Sequence, residues 1–158
     1  MTDSPRHDQR VRLSDGDLRR IEEALSQVAR SCATHEALLV KDDGSIVAEF
    51  VRTHPCSFCR STIRQGEEWF EEAIRDPKIL ENGYFEEMGS SGSCVRSYLL
   101  PLRMFMILPL DHGTGQSDPD LRLYDIIRAE TAKAIERISE ILSRSNAKCG
   151  PDRDRKNQ

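Results

Sequence analysis

The sequence predicts an α/β (α+β) domain, a three-layer α/β/α sandwich around a single five-stranded antiparallel sheet. Three observations predict it. Amphipathic helical stripes stand near both ends, from Leu18 to Cys32 and from Leu123 to Leu142. Between them lie β-rich runs, and the first two flank an Asp-Gly turn, a strong short-range hairpin signal. A further helical pattern, from Cys56 to Ile74, separates that hairpin from the remaining strands. The order read is α-β-β-α-β-β-β-α, with helices covering both faces of the sheet.

The elements follow in turn. Ser14-Asp15-Gly16-Asp17 supplies an N-cap and an acidic first turn. Leu18, Ile21, Leu25, Val28 and Cys32 then recur at steps of 3, 4, 3 and 4, with Arg19, Arg20, Glu22, Glu23 and Arg30 outside the stripe. Ala37–Val40 and Ile46–Val51 read as strands around Lys41-Asp42-Asp43-Gly44-Ser45, where Gly44 can take a positive φ without a Cβ penalty. Cys56, Cys59, Ile63, Gly66, Phe70 and Ile74 share one helical face, and Pro77 ends that helix. Residues 76–93 read as a hinge with turns at Asn82-Gly83 and Gly89–Ser93 and a short strand at Tyr84–Met88. Cys94–Leu100 and Met104–Leu110 form a hairpin through Pro101-Leu102-Arg103, and the unbroken apolar run Met104–Leu108 marks a central strand. After a polar loop, His112–Asp118, the pair Asp118-Pro119 caps the last helix with proline at its first position.

A chain of 158 residues fits one domain. The folded part is expected over 13–144, between polar, disordered tails at 1–12 and 145–158. With 23 basic and 27 acidic residues the net charge is −4, which disfavours a general nucleic-acid binder. No apolar stretch approaches the roughly 20 residues of a membrane span, and Met1–Arg12 lacks the apolar core of a signal peptide. A cytoplasmic protein is expected. Five cysteines are an odd number in a reducing compartment, so no disulfide framework is expected.

Cys56-Ser57-Phe58-Cys59 is the sharpest chemical motif. A helix start lowers a thiol pKa, which is how Cys-x-x-Cys oxidoreductases work, but Pro55 precedes the motif and the flanking elements are not in thioredoxin order. A zinc or iron site on Cys56 and Cys59 needs more ligands, recruited singly from His54, Cys94, Cys32 or His112. The plainer reading buries both thiols against the sheet with Ile63 and Phe70, with no cofactor. His35 and His112 read as turn residues. No nucleophile elbow, phosphate loop or dinucleotide fingerprint occurs, and Gly89–Ser93 lacks the lysine a phosphate loop needs. No catalytic residue is assigned, and an enzyme is not expected.

Two surfaces stand out instead. Ile46–Val51 is a β-branched strand with an unpaired side if it lies at the sheet edge. Trp69, the single tryptophan, falls about 100° from the stripe of Ile63, Phe70 and Ile74 by helix arithmetic, on the flank where an interface anchor would sit. Beside it Glu67, Glu68, Glu71 and Glu72 make an acidic outer face.

The helix leading into "HEALLVKDDGSIVAEF", the later "LLPLRMFMILPLD" and the helix over 119–144 resemble the roadblock/dynein light chain family. Ala37, Leu39, Val40, Asp42, Gly44 and Ala48 fit its pattern. Thr34 and His35 stand where the family often has glycine, the middle helix is more charged than usual, and the Cys-x-x-Cys is not a family feature. The resemblance implies a non-enzymatic dimeric scaffold or regulator of a small Ras-like GTPase, self-paired or paired with another roadblock-like subunit. It implies edge pairing of the second strands through Ile46, Ala48 and Phe50. It also implies docking of the GTPase on the middle helices, which here carry Arg64, Glu68, Trp69 and Glu72. The alternative is a sensor domain of the PAS or GAF kind, with Cys56 and Cys59 holding a metal or a redox signal.

Overall fold

The computed structural model describes residues 12–52, 55–64, 68–89, 94–110 and 121–156, with side chains to residue 145 and without those of 121–123. Helix α1 spans Asp15–Ser31, strands β1 and β2 Glu36–Lys41 and Ile46–Val51, and short helices α2, α3 and α4 Ser57–Ser61, Glu68–Arg75 and Pro77–Asn82. Strands β3, β4 and β5 follow at Tyr84–Met88, Cys94–Leu100 and Met104–Leu110, and α5 spans Leu121–Lys156. The strands form one five-stranded sheet in the order β2-β1-β5-β4-β3, with every pairing antiparallel.

All seven residues of β5 are buried, because helices cover both of its faces. On one face Ala37, Leu39, Met106 and Leu108 meet Ile21, Leu25 and Val28 of α1 and Ile138, Ile141 and Leu142 of α5. On the other, Leu38, Val40, Phe105 and Ile107 meet Trp69, Phe70 and Ala73 of α3. Alternation along each strand thus feeds two separate cores. In the β1–β2 hairpin Gly44 takes φ 89°, and the register shifts between Leu39 and Val40, a bulge that bends the outer strand.

The α1 start is as the sequence implies. Ser14 Oγ accepts from the Asp17 N–H at 3.0 Å. Three expectations change. The single middle helix is three short ones. Thr62 Oγ1 donates to the Cys59 carbonyl where α2 ends, and α3 begins afresh at Glu68. Pro77 opens a helix instead of only ending one: Asp76 caps α4, and Gly83 closes it at φ 85°. The hinge expected from residue 76 is therefore helical to Asn82. Finally, the boundary expected at 144 is passed by helical backbone that runs to Lys156. Ser145, expected in the tail, is buried and donates to Asp17 Oδ2 at 3.0 Å, tying α5 to the start of α1. His54, His112, the Asp118-Pro119 cap and residues 1–11 lie outside the described residues.

Candidate functional site

Strand β2 forms one margin of the sheet. The Arg52 N–H donates to the His35 carbonyl, so alternation turns the N–H and C=O of Val51 and Glu49 outward, away from β1. Ile46 is 38% exposed at its start, while Ala48 is buried and Phe50 half-buried against α1. The strand carries one charged residue, Glu49, and Arg60 of α2 neutralises it at 2.8 Å. The same guanidinium reaches Glu36 Oε1 at 3.4 Å.

Glu36 is the residue that sequence reading missed. It opens a strand whose next four residues are apolar, and its side chain is fully buried. It accepts from the Cys56 N–H at 3.2 Å, while its second oxygen has no hydrogen-bond partner. A buried carboxylate is tolerated only with compensation, and here Arg60 and a backbone N–H supply it. The lone acid at the head of "EALLVK" was the available signal.

The cysteine pair sits against this carboxylate. Cys56 Sγ accepts from the Cys59 N–H at 3.3 Å and so caps α2, and Cys59 is fully buried. Burial first, and then the adjacent Glu36 carboxylate, push the Cys59 thiol far above its ordinary pKa, the opposite of an activated thiolate. Burial also raises Cys32 and Cys94, each to about 11. Among the described residues no group of three or more His, Cys, Asp or Glu side chains is arranged to hold a metal. Cys32 belongs to the core on the opposite face of the sheet from Cys59, so it is no recruit.

On the helix layer the structure reassigns Trp69. The phase carried from Cys56 through one helix is lost at the break before Glu68. Helix α3 restarts with Trp69, Phe70 and Ala73 as its buried stripe. Trp69 is 5% exposed, its ring 4.3 Å from Phe105 and edge-on to Phe85. It is a core residue and not an exposed anchor. Glu68, Glu72 and Arg75 face solvent, and exposed Arg64 pairs with Glu87 of β3 at 3.3 Å. Arg103, in a turn where Leu102 and Arg103 have φ of 63° and 59°, reaches Asp42 and Glu71, each at 2.7 Å, and stacks on Phe70.

The opposite margin, β3, is differently built. Arg96 of β4 holds Glu86 through two N–H donors at 2.9 and 2.7 Å, and Met88 at its end is 64% exposed. Among the described residues no helix is long and apolar enough to cross a membrane.

No protein-family model matches the chain, and no curated protein matches its sequence. Solved structures do match its fold. An MglB in a tetrameric arrangement superposes with TM-score 0.61 at 12% identity, over 85% of this chain and 96% of that one. A Roadblock/LC7 domain from Streptomyces avermitilis gives 0.50 at 8%, over 77% and 97%. A domain of an IclR-family transcriptional regulator gives 0.52 at 10%, over 81% and 97%. At these identities the likeness is one of architecture: the chain has the α/β fold of MglB and the roadblock domain.

Proposed function

We propose that this chain is a non-enzymatic, cytoplasmic, self-associating scaffold or regulator of a small Ras-like GTPase. The carrying observation is the β2 margin, a strand with outward backbone groups whose one charged side chain is neutralised within the subunit. Pairing with a second β2 satisfies those groups and removes an aggregation liability. The pairing runs along Ile46, Ala48 and Phe50. The MglB of the same fold forms a tetrameric arrangement, which supports self-association here.

The GTPase reading rests on the sequence resemblance to the roadblock family together with this fold. Its docking surface is the solvent face of α3, with Glu68 and Glu72, and the neighbouring Arg64. These acidic groups suit a basic patch on the partner and act mainly on association rate. Regulation proceeds by ordering the GTPase's own switch segments. Two measurements test the reading. Light scattering after size exclusion should give a dimer or larger, and a GTPase encoded near this gene should bind with an affinity that falls in Glu68→Lys/Glu72→Lys. A monomer at every concentration removes the self-association half, and undiminished binding by that double variant removes the assigned surface.

A further inference from the structure

The outer half of the sheet is packed closely on one side, and on the other a groove remains open beside the core. Phe85 of β3 fills the first side against Trp69 and Phe105. On the second side, β3 and β4 and the first half of α5 border an open, solvent-facing cavity of about 460 Å³. That size falls within the roughly 300–1,000 Å³ of small-molecule sites, as does a lining of aromatic and aliphatic side chains with a few fixed polar groups.

The lining is ordered from below. Tyr84 and Tyr98 lie side by side with ring centroids 5.4 Å apart. Arg96 stacks 4.1 Å over Tyr84, donates to the Tyr98 hydroxyl at 3.1 Å, and is clamped by both N–H donors on Glu86. Its charge is thereby neutralised and its position fixed. The wall from α5 is apolar at Ile127 and Ile135, and Thr131 turns its hydroxyl back to the Ile127 carbonyl at 2.6 Å. Arg128 stands on the same wall, exposed, and makes no ion pair among the described residues. With Arg96 balanced by Glu86, Arg128 leaves the cavity one uncompensated positive charge among the described residues.

We propose that this cavity binds a small aromatic carboxylate. Tyr124, Ile127 and Ile135 on the α5 wall and half-buried Tyr84 offer apolar surface for a ring, and Arg128 offers the paired donors that recognise a carboxylate. One net positive charge matches a monoanion. The site is separate from β2 and from the face of α3. Because its two walls belong to different elements, an occupant would fix the first half of α5 against the β3–β4 hairpin.

The test titrates the full chain with benzoate, 4-hydroxybenzoate and indole-3-acetate by calorimetry and saturation-transfer NMR. Benzamide and benzamidine serve as the neutral and cationic comparisons. Saturable binding of at least one carboxylate is expected, with benzamide and benzamidine each weaker by about tenfold or more. Arg128→Ala should weaken the carboxylate by about tenfold. Ala132→Trp, an exposed helix position at the cavity, should block it. Circular dichroism checks that both variants fold, and Arg128→Ala decides alone if the tryptophan disturbs the helix. The proposal is overturned if no carboxylate saturates by about 10 mM, well above the range of a built site. It is equally overturned if benzamide binds as well, or if binding survives Arg128→Ala.

Discussion

The sheet has two margins, and they solve the same problem differently. Strand β3 is fastened to its own subunit: Phe85 is set between Trp69 and Phe105, Glu86 is held by Arg96, and Glu87 by Arg64. Strand β2 is fastened mainly through Ala48 and Phe50, and its one charge, the exposed Glu49, is paired with Arg60. Charge on a margin discourages edge-to-edge pairing, and the removal of charge permits it. One margin is held by an aromatic cluster and two ion pairs of its own, and the other, with a single charge, is the one proposed to take a second strand. Edge strands in one sheet need not be equivalent, and the difference lies in how many charges they carry and in the aromatic packing that holds β3.

The largest effect expected is on the β3 margin. Trp69→Ala removes the ring packed on both Phe105 and Phe85 and should cost about 3–5 kcal/mol. Hydrogen exchange should then quicken in β3 more than in β2. Equal loss across the sheet would show that β3 is not held by this packing. Next comes the pairing margin. Val51→Pro deletes an outward N–H and Ile46→Asp places a charge there, and each should weaken self-association by about 10–100-fold, or roughly 1.4–2.8 kcal/mol, while the monomer's melting temperature barely moves. Sedimentation velocity across a concentration series reads this directly.

Arg60→Ala links the margin to the interior. It leaves Glu36 buried with one fewer compensating partner and leaves the Glu49 charge unpaired, so it should destabilise by about 2 kcal/mol and weaken self-association together. Glu36→Gln on the same background should recover stability but not association, which separates the two roles in chemical denaturation. At the β3 margin Glu86→Gln should cost no more than about 1 kcal/mol and leave self-association unchanged. A fall in dimer affinity in that variant would mean that β3, too, is an interface.

The smallest effect touches both margins alike. Burial raises the Asp17 pKa, but hydrogen bonds from Ser145 and Arg20 outweigh it, and the carboxyl lies below its ordinary value of 3.8. A depressed carboxylate contributes stability that is present above the unfolded pKa and lost as pH falls through the folded one. Acid titration should show a loss below pH 3.8 that is smaller in Asp17→Asn, without preference for either margin.

What could be read from the sequence follows from length and repetition. Leu18 to Cys32 repeats its stripe over several turns, and the apolar run at Met104 admits only a central strand, so α1 and β5 stood where expected. The region from Cys56 to Asn82 did not. Its residues fit one helical face arithmetically, but a face carried across Gly66 is a coincidence of spacing once the chain breaks, and Trp69 turned from flank to core when the phase restarted. The ion pairs of Arg60, Arg96 and Arg103 join residues far apart in sequence, which no local pattern encodes. Cys59 was legible as a buried thiol, whereas Cys56, expected buried with it, is only half-buried, and the carboxylate beside the pair was hidden in a strand that otherwise reads as apolar.

The Arg103 turn carries one more consequence. Two successive non-glycine residues at positive φ are an unfavourable backbone choice, and here they aim one guanidinium at both Asp42 of the first hairpin and Glu71 of α3. That makes the turn a cross-brace. The loop next to β2 and the helix that carries Glu68 and Glu72 cannot drift apart without stretching one of two short ion pairs. A load applied at the helix face is thus shared with the hairpin that holds β2. A lysine at that position, with a single point of attachment, would let the two surfaces move as separate parts.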